Sequence, residues 1–206
     1  MKTGLIASFG LFGAVAAFPA AAQDIPKADP AVVEKYIAAT FTKTPDDWKG
    51  RIAQDEMQRL CTQHNNQPPA NVAEKIMAAA TASIVYPADG NVMGDWKSGE
   101  KIAQSGFGGR FNDKPDVVNG GNCYACHQMR PDELSYGTLG PSLLGYGKER
   151  NFAPEEAKAA YAKIFNAQAV LPCSNMPRLG VHKFLSEQQI KDVVALLFAK
   201  DSPVNK

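Results

Sequence analysis

The chain is poor in the residue types that would make most function classes easy to recognise. Its 206 residues include four cysteines, three histidines and two tryptophans. Lysine and arginine number 22 against 21 aspartates and glutamates, a formal charge of +1. A balance this even leaves no basic stripe for nucleic acid and no polybasic tail for anionic lipid. Beyond residue 22 no apolar run approaches the ~20 residues that a spanning helix needs. Internal repeats and low-complexity segments are absent as well, and no stretch reads as a strand of consequence. A soluble, all-α chain is expected.

The one long apolar run stands at the start. Lys2 precedes an uncharged stretch from Leu5 to Ala17, and Ala20-Ala21-Ala22 forms a small-residue cleavage site. This is the pattern of a secretory signal over residues 1–22. The rival, an uncleaved anchor, has too short an apolar run, which Pro19 closes. Export to the periplasm is expected, and with it an oxidising compartment.

Two helical parts follow. In residues 23–88, a helical N-terminal extension, Val32, Val33, Tyr36 and Ile37 recur at helical spacing. So do Ile52, Ala53, Met57, Leu60 and Cys61, read as one helix starting near Thr44-Pro45-Asp46-Asp47. A third helix carries Val72, Ile76, Met77 and Ala80. Turn residues at Pro87–Asn91 mark a seam. In the second part, 89–206, helices are expected from Asp95 to about Ser105, from about Pro154, and after a Ser186/Gln189 capping box. Gly99 and Ala103 are small enough for another helix to cross closely.

The chemistry gathers at Gly121-Asn122-Cys123-Tyr124-Ala125-Cys126-His127. Two cysteines three apart with a histidine after the second are the attachment pattern of c-type haem. Positions i and i+3 share a helix face, so both sulfurs can reach one porphyrin edge while His127 falls under the iron. A thioredoxin-type dithiol does not require the histidine, and no βαβ pattern is near. Zinc would want a second ligand pair, whereas Cys61 and Cys173 stand alone. The expected cofactor is one covalent haem c with iron.

Opposite His127, Met176 is the leading axial ligand. It sits between Pro172 and Pro177 in a loop that can fold over a cofactor edge, and a thioether favours ferrous iron. Met129 is too close in sequence to His127. Met57 and Met77 lie on helix stripes, where methionine usually fills core. His182 is the rival. A backbone carbonyl near Pro141 could accept the His127 N–H, or Gly140–Gly145 is an ordinary turn. Cys61 and Cys173 are most simply a disulfide in an oxidising compartment. The alternative is a reactive Cys173.

In the order CxxCH, Gly-Pro-x-Leu-x-Gly, methionine loop and final helix, the second part resembles class I cytochromes c. Gly121–Met129, Leu139–Gly147, Cys173–Gly180 and Leu185–Val194 are more closely similar to the SoxX family, the mono-haem subunits of SoxAX cytochromes in bacterial thiosulfate oxidation. Leu179 departs from the phenylalanine common there. The resemblance implies thioether attachment at Cys123 and Cys126 and a His127/Met176 axial pair. It implies the redox subunit of an L-cysteine S-thiosulfotransferase, in a stable heterodimer with a SoxA-like cytochrome that carries the catalytic thiol. Electrons would arise when thiosulfate joins a cysteine of a SoxYZ-like carrier, and would pass to a downstream acceptor. No catalytic residue is expected on this chain. A free-standing periplasmic electron carrier is the alternative. A peroxidase-like enzyme is disfavoured by Met176, which would fill the sixth iron position.

Overall fold

The computed structural model describes residues 28–110, 112–114 and 116–206. The expected secretory signal, residues 1–22, lies outside the described residues. The chain divides into two compact units that break after Lys43. Among the described residues every regular element is helical, so the all-α class holds.

In the first unit, α1 (Pro30–Thr40) is capped by Asp29, whose side chain accepts from Ala31 N, and starts on a proline. It buries no residue, so the stripe of Val32, Val33 and Tyr36 lies exposed.

The second unit opens with α2 (Asp46–Ile52) and α3 (Glu56–Gln63). The sequence reading of one helix through Ile52 and Leu60 is corrected here. Ala53 turns extended at ψ 134°. The chain then restarts at Asp55, whose carboxylate accepts from Gln58 N while the Gln58 side chain accepts from Asp55 N. This reciprocal cap satisfies two donors that a continuing helix would not have freed. The stripe stays nearly in phase across the break, which is why periodicity alone hides it. α4 (Ala70–Ala82) packs Ile76 against Cys61 and Cys173 in a small core of its own.

The main core lies among α5 (Trp96–Gln104), α7 (Pro154–Phe165) and α8 (Glu187–Phe198), with α6 (Tyr146–Glu149) a single turn beside them. Tyr161, Ile190, Val194 and Leu196 are fully buried there. The crossing of α5 on α8 depends on Gly99, because a Cβ there would collide with the Asp192 carbonyl. Buried Asp192 also accepts from Asp95 N at 2.9 Å, holding the start of α5 onto α8. The Ser186/Gln189 capping box opens α8 as its sequence signature predicts. The C-terminus is tied in by Asn205. Its amide oxygen accepts from Gly147 N and Lys148 N, and its amide nitrogen donates to the carbonyls of Leu197 and Ala199.

The helices of the extension that fall in this unit are joined to the later chain at several points. Tyr161 Oη donates to the Val85 carbonyl at 3.1 Å, and Asn166 Nδ2 to Ser83 Oγ at 2.9 Å. Cys61 and Cys173 form a disulfide across 112 positions of sequence.

Candidate functional site

The Cys123–His127 turn is framed on both sides by backbone. Leaving α5, the chain returns so that Gly121 N donates to Ile102 O at 2.7 Å and Asn122 N to Ser105 O at 2.9 Å. Asn122 takes a left-handed φ of 48°, which asparagine tolerates better than most residues, and a 3₁₀ turn over Cys123–Ala125 follows. His127 N donates back to Cys123 O. On the other side the segment 137–143 runs along the turn. Gly137 N donates to Tyr124 O, Gly140 N to Cys126 O and Leu143 N to Gln128 O, at 2.7–2.8 Å. The turn is thus held in place by ordered backbone on both flanks.

The imidazole is oriented by that second segment. His127 Nδ1 lies 2.8 Å from the Pro141 carbonyl. A carbonyl only accepts, so Nδ1 carries a proton, and in the neutral ring this leaves the lone pair on Nε2, the form in which histidine binds a metal or a Lewis acid. Gly140 is required beside it, since a Cβ there would run into the His127 ring.

Cys123 and Cys126 are free and half-buried. Burial pushes the Cys123 thiol up to about 12, so near neutral pH it is a thiol and a poor nucleophile. Burial acts on Tyr124 in the same direction: its hydroxyl is buried without a hydrogen-bond partner. Its pKa is raised to about 12, by burial first and then by Glu100. A cavity of about 730 Å³ opens beside it, lined by Gln104, Asn122, Tyr124, Ala125 and residues 133–137. Neither cysteine nor His127 lines that cavity.

Met176 is half-buried, and it and Cys123 pack against the same main core. Its loop is anchored on both sides, by the disulfide at Cys173 and by an ion pair at Arg178. Arg178 is buried, and its Nη2 lies 2.7 Å from Asp55 Oδ2. Of the other candidates, Met129 is core, fully buried. Met57 packs in the small core around the disulfide. His182 sits by the Asp55–Arg178 pair, its pKa lowered by burial and then by Arg178. The pair itself escaped the sequence reading. Its two signals were the Asp-x-x-Gln of a capping box and an arginine two residues beyond Met176, with nothing local to join them.

No family model matches the chain. It is 37% identical over 161 residues to a protein of Aquifex aeolicus described as an uncharacterized lipoprotein, covering 77% of this chain and 76% of that relative. The chain belongs to this lipoprotein's family.

That result corrects the assignment made from motifs. The comparisons return the lipoprotein and no SoxX or cytochrome family model. The SoxX membership, the redox-subunit role in a thiosulfate-oxidising complex and the free electron-carrier alternative are withdrawn with it. The expectation of one covalent haem c, with iron between His127 and Met176, is withdrawn too. The bonded cysteine pair is Cys61–Cys173, while Cys123 and Cys126 are free. Among the described residues no group of three or more His, Cys, Asp or Glu side chains is placed to hold a metal. The Cys-x-x-Cys-His spacing and the framed geometry around it remain as observations about the chain.

Proposed function

We propose that Cys123, Cys126, His127 and Met176 form the functional site of an exported binding protein. The architecture behind it we read as that of class I cytochromes c: a CxxCH turn after the first crossing helix, a methionine loop, and a final helix packed on the first. The observation that carries the reading is the His127–Pro141 contact at 2.8 Å. A carbonyl dedicated to one ring nitrogen fixes the tautomer and aims the other, and such outer partners are a usual feature of ligating histidines. Two sulfurs on the same turn add soft donors, and Met176 adds a third soft sulfur.

The setting is the periplasmic side of an inner membrane. The signal-like start supports it, as do the Cys61–Cys173 disulfide and the relative's description as a lipoprotein. A stable protein partner belongs to the same reading, because the extension is larger than the site itself needs.

The test is a mass comparison. The exported protein is measured intact by mass spectrometry under native and then under denaturing conditions. The expected result is added mass in the native spectrum that is lost on denaturation, as free cysteines require. Equal native and denatured masses would refute the reading.

A further inference from the structure

The loop that presents Met176 is held from one place. Cys173 is bonded to Cys61, within α3, and Arg178 is paired with Asp55, the residue that caps the start of α3. The two ties flank Met176 at three residues before and two after. Between them the loop has little of its own to hold it: Met176 N donates to Ser174 Oγ at 3.2 Å, and Cys173 takes a φ of 59°. Beyond the ties, Gly180 N donates to Phe165 O and the chain rejoins the main core.

The two ties differ in kind. Arg178 is buried, and its Nη1 has no hydrogen-bond partner. The guanidinium therefore depends on Asp55, because a buried charge without its partner is costly. The disulfide is the tie that chemistry can open without a mutation. A dithiol reductant gives two electrons and two protons to the Cys61–Cys173 bond. It leaves two thiols on this chain and becomes a disulfide itself.

We infer that α3 is a two-point clamp on the Met176 loop and that the Cys61–Cys173 disulfide is its redox-sensitive point. In the oxidised chain Met176 is presented in a fixed position; in the reduced chain the loop is held by Arg178 alone and Met176 becomes mobile. The inference rests on the reading of Met176 as a site residue. Cys173 and Arg178 act through that loop and are positioning residues.

The experiment uses the full-length exported protein, with and without dithiothreitol, at a temperature where circular dichroism shows the helices intact. Two readouts are taken: amide exchange over residues 171–180, and the rate at which hydrogen peroxide converts Met176 to the sulfoxide. Met129, fully buried in the main core, is the internal control. Reduction is expected to raise both Met176-loop readouts several-fold while Met129 stays unchanged. Arg178→Met in the oxidised protein is expected to raise them less, and Cys61→Ser/Cys173→Ser to match the reduced form. No change at Met176 on reduction would overturn the clamp. An equal rise at Met129 would also overturn it, since the disulfide would then staple the whole unit. These readouts need no bound group, so they stand apart from the native-mass comparison. Equal native and denatured masses would end the site reading and leave the clamp to be judged by Met176 alone.

Discussion

Replacing Asp55 separates two roles of one carboxylate. It caps α3 by accepting from Gln58 N at 2.9 Å, and it neutralises buried Arg178 at 2.7 Å. Asparagine caps about as well as aspartate, so Asp55→Asn removes the charge and keeps the cap, whereas Asp55→Ala removes both. Unpairing a fully buried charge costs about 3–5 kcal/mol. The Asp55 side chain is 40% exposed, so water screens the pair and the expected cost of Asp55→Asn falls to about 1–2 kcal/mol. Losing the cap adds about 1 kcal/mol, which puts Asp55→Ala at about 2–3 kcal/mol. The assay is urea unfolding followed by circular dichroism, with the m-value unchanged if only stability has moved. The pH dependence gives a second reading. Burial pushes the Asp55 carboxyl up, but the Gln58 N–H and the Arg178 guanidinium outweigh it, with His182 adding a little, and hold it below its ordinary 3.8. A group with a depressed pKa binds fewer protons folded than unfolded. Its stabilisation is therefore full above about pH 4 and is lost as pH falls through the folded value. Asp55→Asn should flatten that part of the acid limb. Equal stabilities for Asp55→Asn and wild type at pH 7, with an unchanged acid limb, would refute the ion-pair reasoning.

Other outcomes follow from the same geometry. Gly140→Ala should push the His127 ring off the Pro141 carbonyl, cost about 1–3 kcal/mol as overpacking does, and shift the His127 ring ¹⁵N signals; unchanged signals would contradict the close approach. Gly99→Ala forces α5 away from the Asp192 carbonyl and should lower the Tm by several degrees in a thermal scan. Asn205→Ala strands two N–H groups of α6 and two carbonyls at the end of α8; at ~1 kcal/mol for each net hydrogen bond, it should rank among the most destabilising polar substitutions. The free Cys123 thiol should resist iodoacetamide at pH 8 while folded, because burial holds its pKa at about 12, and should react once unfolded.

The parts of this molecule that the sequence made legible are those whose causes are local. The start of α8 was readable because Ser186, Gln189 and the stripe of Ile190, Val193, Val194 and Leu197 lie within a dozen residues. The α5–α8 crossing was foreshadowed by Gly99, since small residues on a helix face imply a close neighbour. The turn at Cys123–His127 and its Pro141 partner were also in view, because Gly-Pro follows the motif at short range. The break between α2 and α3 was missed because the apolar phase carries across it, although the Asp55-x-x-Gln58 cap was there to be read. The Asp55–Arg178 pair could not be read at all: it depends on the fold bringing α3 to a loop more than a hundred residues later. Family membership failed for a different reason. Short motifs resemble many chains, and the similarity over 161 residues leads to the lipoprotein instead.

The central claim is that the framed Cys123–His127 turn is a binding site, and intact mass under native, non-denaturing conditions measures it most directly. Wild-type protein exported in its native setting is compared with the Cys123→Ser/Cys126→Ser variant. The account predicts a difference larger than the two sulfur-to-oxygen replacements, equal to the mass of a group held on the turn. A difference equal to those replacements alone would contradict it.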